Sequence, residues 1–253
     1  TEPETNWNVF RLQRDLFGRS TLGVIGLMKE PEDRPDDHTE LPGFRLSDTK
    51  YNRVIGADLR LQSIRTEHQL NLLVARSFLP KTELHSRVLA NSDSTLLTQT
   101  ALEWGGAIIH SWRNAWMRTT ASYTDIRAGL FSDLGFITRR DIRQAEASIG
   151  MNHLIRKWGI RSIGSSSSGR GNLIGGTWIT NHHGGFFDRD LVASWTVEAN
   201  PSLEFENGVD FRLKWSRNFD RLDRETTIAG VAFPAGTYTF DDYAAEISTD
   251  RGK

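Results

Sequence analysis

Two polar segments carry side chains that could bind a metal ion. His182 and His183 stand near Asp188 and Asp190, and imidazole and carboxylate groups are common zinc ligands. Adjacent side chains on an extended segment point in opposite directions, so both imidazoles rarely reach one ion. The other segment could offer oxygen ligands to calcium through Asp33, Asp36, Asp37, His38 and Glu40. Because it lacks the spacing and the glycine of an EF-hand, we predict two solvated loops and no metal site.

Catalytic and cofactor-binding patterns are weak in this chain. The serine-rich segment Ser165–Gly171 lacks the Gly-Lys-Ser/Thr ending of a phosphate-binding loop. His110 and Ser111 could form a triad with Glu103 or Asp125, but any chain of this length offers such combinations. No pair of carboxylates is singled out for glycoside hydrolysis. The sequence predicts no catalytic, cofactor-binding or metal-binding residue, and it favours a role other than catalysis.

Composition narrows the class of protein. The 253 residues have a formal net charge of −1 and include no cysteine. The balanced charge gives no basic surface, so we expect no nucleic-acid partner, and the missing cysteines exclude disulfides and thiolate zinc sites. Mean hydropathy is −0.46, and no apolar run approaches the roughly 20 residues of a membrane helix. A transmembrane β-strand needs only about 10 residues, half of which face a polar lumen, so this composition also suits a β-barrel.

Extended segments alternate with turn-rich segments along the chain, and only Lys81–Ala90 suggests a short helix. This pattern is typical of an antiparallel β-barrel or β-sandwich. We predict strands over residues 6–17, 19–29, 51–63, 67–79, 95–107, 113–126, 138–155, 158–168, 173–181, 190–200, 202–218 and 237–248. The predicted fold class is all-β, an antiparallel up-and-down meander.

The segment Val209–Ser216 shows the clearest alternation between apolar and polar residues. Its apolar members are Val209, Phe211, Leu213 and Trp215, and its polar members are Asp210, Arg212, Lys214 and Ser216. Side chains alternate faces along a strand, so this strand separates an apolar environment from an aqueous one. The apolar side would face a protein core in a soluble sandwich and lipid in a membrane barrel. Alternation alone does not distinguish these two folds. Eight tryptophans, several near predicted strand ends, fit an aromatic girdle as well as ordinary core packing.

An ordered series of short sequence segments, called phrases below, runs through nearly the whole chain, from about Trp7 to about Arg251. The phrases are Arg11–Gly26, Tyr51–Asp58, Ala75–Ser77, Phe131–Asp141, Phe205–Gly208 and Val231–Phe240. In this order they resemble the C-terminal region of the DUF5916 family, bacterial proteins that often carry an N-terminal carbohydrate-binding module of the family 9 type. The resemblance implies an outer-membrane β-barrel. Residues 1–253 would then be a single region, and a segment of a larger barrel.

The resemblance implies that charged rows face a lumen and apolar rows face lipid in the outer membrane of a Gram-negative bacterium. The lumen-facing candidates are Asp58, Arg60, Arg118, Glu146, Glu198, Asp210, Arg212 and Lys214. The lipid-facing candidates are Leu59, Leu61, Leu70, Leu72, Val74, Ile149, Leu191, Trp195, Val197, Val209, Phe211, Leu213 and Trp215. A charge network of Arg139, Arg140 and Asp141 is expected in the lumen.

The implied function is a structural or transport role with an undefined solute, linked to carbohydrate recognition or uptake. Its partners would be outer-membrane lipid and, in addition, carbohydrate or other domains of the same protein. Two alternatives stay open at this point. One is a soluble β-sandwich that binds carbohydrate through exposed aromatic rings, and the other is a glycoside hydrolase with two carboxyl groups in one cleft.

Overall fold

The computed structural model describes residues 5–31, 51–65, 67–79, 103–133, 137, 140–165, 172–181, 192–228 and 230–249. In these ranges the chain forms strands and turns, which confirms the predicted all-β class. No helix within them is long and apolar enough to cross a membrane. Several predictions lie outside the described residues, among them the helix at Lys81–Ala90, the acidic segment Asp33–Glu40, the histidine loop His182–Asp190 and residues 166–171 of the serine-rich segment.

Fifteen strands are present in the described ranges. They are β1 (Thr5–Asp15), β2 (Thr21–Pro31), β3 (Asn52–Gln62), β4 (His68–Phe78), β5 (Trp104–Arg113), β6 (Met117–Ile126), β7 (Ile142–Lys157), β8 (Ile160–Gly164), β9 (Ile174–Asn181), β10 (Val192–Ala199), β11 (Ser202–Phe205), β12 (Val209–Leu222), β13 (Thr226–Ile228), β14 (Val231–Phe233) and β15 (Gly236–Thr249). Thirteen of them form one sheet, an antiparallel meander, and β13 pairs with β14 as a separate hairpin. The predicted antiparallel meander is therefore confirmed.

The strands belong to two compact units. The first unit comprises residues 1–62, 70–108 and 124–142, and the second comprises residues 63–69, 109–123 and 143–253. The first holds β1, β2, β3 and most of β4, whereas the second holds most of β7 and all later strands. The single β-barrel region expected over residues 1–253 stays a prediction.

Two positions of the meander in the second unit are each filled by two strands. β10 and β11 pair with β12 in one uninterrupted register, and between them the Leu213 amide donates to the Pro201 carbonyl. On their other side β9 pairs with β10 and β8 pairs with β11. From β7 onward, the sheet is therefore a plain up-and-down meander with five positions. In order, these positions hold β7, β8 together with β9, β10 together with β11, β12, and β15.

The structure corrects several predicted boundaries. The strand predicted over residues 202–218 is wrong as a single element, because the three-residue turn Glu206–Gly208 separates β11 from β12. Gly208 has a φ of +82°, which glycine adopts without steric cost. The strand predicted over residues 95–107 ends too early, since β5 extends to Arg113, and residues 95–102 lie outside the described residues. The small hairpin of β13 and β14 was not predicted.

Few apolar side chains are buried in the described residues. Those of the first unit are Val54, Leu79, Leu130, Phe131 and Ile142, and those of the second are Val192 and Ala193. The first set centres on the segment that follows β6. Among the side chains that the structure describes, those of Ser20, Ser77 and Thr180 are fully buried, so hydroxyl groups occupy the tightest positions.

Candidate functional site

The first three strands present two chemically different faces. Residues opposite each other on neighbouring strands share a face, so Phe10, Gly26 and Ile55 lie in one row. The members of this apolar face of the first unit include Phe10, Leu12, Leu22, Val24, Ile55, Ala57 and Leu59. The ring of Phe10 occupies the space above Gly26, where a Cβ would overlap it. The face is therefore a continuous apolar surface across three strands.

The opposite, polar face of the first unit carries Arg11, Gln13, Asn52, Asp58 and Arg60, and the apolar side chains of Val9, Ile25, Leu27 and Val54 lie on it as well. The guanidinium of Arg11 lies 2.8 Å from the Asp58 carboxylate and reaches it across β2. Gly23 lies between them on β2, where a Cβ would come within 2.7 Å of the Asp58 carboxylate. The missing side chain leaves room for this ion pair to bridge strands β1 and β3.

A segment of the chain docks onto one end of this polar face. The Ser77 hydroxyl donates to the Gly129 carbonyl at 3.0 Å and accepts from the Phe131 amide at 3.1 Å. The Asn52 side-chain amide donates to the Phe131 carbonyl at 3.3 Å. Lys29 then pairs with Asp133 at 3.0 Å. Two strand residues thus hold the backbone of the docked segment, Arg127–Asp133.

We expect the substitution Ser77→Ala to destabilise the protein by about 2 kcal/mol, because it leaves two buried backbone groups without their partner. Urea unfolding followed by tryptophan fluorescence would measure the change. The matched control is Ser63→Ala, whose hydroxyl accepts from the His68 amide at a position that water can reach, so the loss should be a few tenths of a kcal/mol. Equal losses for the two variants would contradict the assigned role of Ser77.

The polar face of the second unit follows β12. Arg212 donates to the Asp210 carboxylate, with a shortest contact of 2.6 Å, and lies 3.7 Å from Glu246 on β15. Further along the strand, Asn218 donates to Asp242 at 3.0 Å and accepts from the Thr196 hydroxyl at 2.9 Å. These contacts connect β10, β12 and β15 through side chains of opposite charge and through neutral amides and hydroxyls.

The other face of the same strands is apolar and aromatic. Trp195 stacks between Trp178 and Phe219, with ring centroids 6.4 and 6.0 Å apart and planes within 9° and 4°. The three residues are direct cross-strand partners, so the register itself brings the rings together. Arg217 opposite Asp241 is a charged pair within this face. The same row along β12 also holds Val209, Phe211, Leu213 and Trp215, and Arg221 lies at its end.

The predicted rows fall on separate faces where the register defines them. Asp58 and Arg60 share the polar face of the first unit, and Glu198, Asp210, Arg212 and Lys214 share that of the second. Ser148 lies beside Gly175 and Glu198, which places Glu146 on the polar face and Ile149 on the apolar one. Arg118 lies on β6. Leu191 and Arg139 lie outside the described residues, and the contact with lumen or lipid stays a prediction for all rows.

The structure also shows where the predicted apolar residues of the first unit lie, and where Arg140 of the predicted charge network lies. Leu59 lies opposite Leu22, and Val74 lines a groove together with Val24 and Ala57. Leu61, Leu70 and Leu72 follow by alternation along β3 and β4. Arg140 lies over the ring of Phe131 at 3.9 Å, a contact that charge patterning did not predict.

The structure does not bring together the catalytic triad that the sequence could have formed from His110, Ser111 and an acidic residue. His110 and Ser111 are adjacent on β5 and therefore point to opposite faces. Glu103 instead faces Arg76, and Asp125 pairs with Arg127 at 3.1 Å. His110 stacks on His68 at a centroid distance of 5.7 Å, a pairing that sequence spacing could not show. Within the described ranges no three His, Asp or Glu residues are grouped as a metal site would require.

No protein-family model, no curated protein and no solved structure matches this chain. The resemblance to the DUF5916 family accordingly stays a prediction.

Proposed function

We propose that the chain is a membrane-embedded β-sheet of an outer-membrane barrel, with its apolar faces in lipid and its polar faces toward an aqueous lumen. The observation that carries this proposal is an inverted pattern of burial. Small polar residues occupy the least exposed positions, whereas large apolar residues such as Leu12 (71%) and Phe10 (48%) are exposed. Water-soluble proteins rarely expose a large continuous apolar surface of this kind. Lipid would cover them at no cost, since hydrocarbon is as apolar as leucine.

Strand length supports the same proposal. β1, β2, β3 and β4 each have 11 residues, and β5 and β6 each have 10. A tilted transmembrane strand needs about 9–11 residues to cross the hydrocarbon layer. Antiparallel pairing joins the backbone amides and carbonyls of neighbouring strands, as lipid requires.

The polar faces favour a structural or transport role over catalysis. Their charges include ion pairs, such as Arg11 with Asp58 and Arg212 with Asp210, and a paired charge is less available as an acid or base. Rings of charged side chains set the selectivity of aqueous pores. An exposed Phe240 lies opposite Asn218 and next to Asp242, which is the combination of ring, amide and carboxylate that saccharides bind. We therefore extend the proposal to passage or binding of a saccharide along the polar face.

Single-cysteine labelling tests the membrane proposal, because the chain has no cysteine of its own. The matched variants are Val197→Cys on the apolar face and Thr196→Cys on the polar face, one residue apart on β10. A fluorophore attached at residue 197 in lipid vesicles should emit at shorter wavelength and be quenched by nitroxide lipids. The fluorophore at residue 196 should be quenched by aqueous iodide instead.

A soluble β-sandwich gives the opposite result. The protein would stay in the aqueous fraction without detergent, and the nitroxide lipids would quench neither fluorophore. That outcome would exclude the membrane proposal and favour the carbohydrate-binding alternative.

A further inference from the structure

Cation–aromatic pairs line one edge of the first unit. Antiparallel strands alternate direction, so the starts of β1, β3 and β5 lie at the same edge as the ends of β2, β4 and β6. The pairs at this edge are Lys29 over Trp7, Arg53 over Tyr51, Arg76 over Phe78 and Arg127 over Trp104, each about 5 Å from the ring centre. Aromatic and basic residues concentrate in this way at the headgroup level of a membrane.

Each of these cations also faces a carboxylate. Their partners are Asp133 for Lys29, Glu30 for Arg53, Glu103 for Arg76 and Asp125 for Arg127. The edge is therefore a row of alternating charges and not a basic patch. Such a row complements a headgroup that carries both charges better than one that carries only a phosphate.

A groove of about 460 Å³ opens on the apolar face beside this edge. Apolar side chains form its walls, and a charged pair and a tryptophan form its end; the lining includes Val24, Ile55, Ala57, Val74, Arg76 and Glu103. Val74 is 52% exposed and Ile55 is 49% exposed, so the groove is open at both of these residues. An apolar trough with charges at one end has the shape and chemistry of a site for an amphiphile.

The charged end of the groove holds its two partners loosely. Arg76 and Glu103 are 3.7 Å apart, whereas Arg127 and Asp125 are 3.1 Å apart. The Arg76 side chain is 63% exposed, and the Glu103 side chain is 19% exposed. A loose, partly exposed pair can accept a phosphate on the guanidinium and an ammonium on the carboxylate without first breaking a tight salt bridge.

We propose that this groove binds one zwitterionic glycerophospholipid. One acyl chain lies along the apolar walls, the phosphate accepts hydrogen bonds from Arg76, and the headgroup ammonium donates to Glu103. This inference rests on the proposed membrane location and names the lipid that the first unit selects. The probe is phosphatidylethanolamine, and phosphatidylglycerol with the same acyl chains serves as the anionic comparison.

Native mass spectrometry of the full chain in detergent micelles doped with one lipid at a time measures retention directly. Wild-type protein should retain phosphatidylethanolamine with about tenfold preference over phosphatidylglycerol. Arg76→Gln and Glu103→Gln should each weaken its retention about tenfold, since each removes a charge-assisted contact. Val74→Trp should abolish retention by filling the groove. The matched controls Arg14→Gln and Ile108→Trp lie outside the groove and should change retention less than twofold.

Three outcomes would overturn the site. One is retention no higher than in Val74→Trp, and another is equal loss in the control variants. The third is preference for phosphatidylglycerol with tighter binding in Glu103→Gln, which would show an anionic headgroup. The assay needs micelles but no bilayer, so it separates the two proposals. Insertion into vesicles without retention removes only this site, whereas retention without insertion supports the site and contradicts the membrane location.

Discussion

Replacing Gly164 by alanine should destabilise the protein by about 3 kcal/mol, the largest effect that we expect from removing or adding one methyl group. A Cβ at this position would overlap the Met151 carbonyl oxygen and come within 2.8 Å of the Asn152 Cα. Both are backbone atoms held by strand pairing between β7 and β8, so neither can turn aside as a side chain would. The strands would have to separate locally.

The surroundings of Gly164 make such separation costly. The Met151 carbonyl accepts from both the amide and the hydroxyl of Ser165, at 2.8 and 3.2 Å. The Ser202 hydroxyl donates to the Gly164 carbonyl at 3.2 Å. Moving the backbone at Gly164 therefore strains three hydrogen bonds that connect β7, β8 and β11.

Two control variants separate the steric effect from the general cost of replacing glycine. Gly236→Ala places its Cβ 3.9 Å from Tyr238 and should change stability by less than about 0.5 kcal/mol. Gly23→Ala meets only the flexible ends of Arg11 and Asp58, so those side chains can shift and the loss should stay below about 1 kcal/mol. Urea unfolding compares all three. A loss at Gly164 no larger than at Gly23 would show that the backbones of β7 and β8 are not in close contact.

Ile149→Arg should destabilise the protein in lipid vesicles by about 2–4 kcal/mol, because a charged side chain on the lipid face has to leave water. Ile149 is 45% exposed, and so it packs against little protein. In a water-soluble protein an arginine at such a position would change stability by at most about 0.5 kcal/mol. The size of the loss therefore reports the medium that surrounds the apolar face.

The matched control for this substitution is Ser148→Arg. Ser148 is the preceding residue on β7 and lies on the polar face near Glu198, where a guanidinium stays hydrated and gains a nearby carboxylate. Reversible unfolding from vesicles should show a difference of about 2 kcal/mol or more between the two variants. Equal and small losses would mean that water covers both faces.

Alternation along the chain was sufficient to predict most strands and both of their faces. In β12, Asp210, Arg212 and Lys214 share one face and Val209 and Phe211 the other, as a period of two requires. Asn207 with Gly208 is a hairpin signal, and the turn before β12 is the three-residue segment Glu206–Gly208, in which Gly208 has the positive φ. These features depend only on residues close in sequence.

Partners distant in sequence could not be predicted in the same way. Residues 158–168 and 173–181 suggested two successive strands, yet β8 and β9 occupy one position of the meander. The Ser165 amide bonds to the Met151 carbonyl and the Leu173 amide bonds to the Ile149 carbonyl, so the chain rejoins β7 after residues 166–171. No local pattern encodes that return.

The sequence by itself determined that this protein is an antiparallel all-β chain with one oily and one polar row on most strands, because side-chain direction follows from backbone geometry alone. Only the tertiary structure decided that Ser77 holds the segment around Phe131, that Gly23 leaves room for Arg11 to reach Asp58, and that a groove opens beside Arg76 and Glu103. Each of these depends on register between strands. Register is fixed by the summed packing of many distant pairs, which no single segment contains.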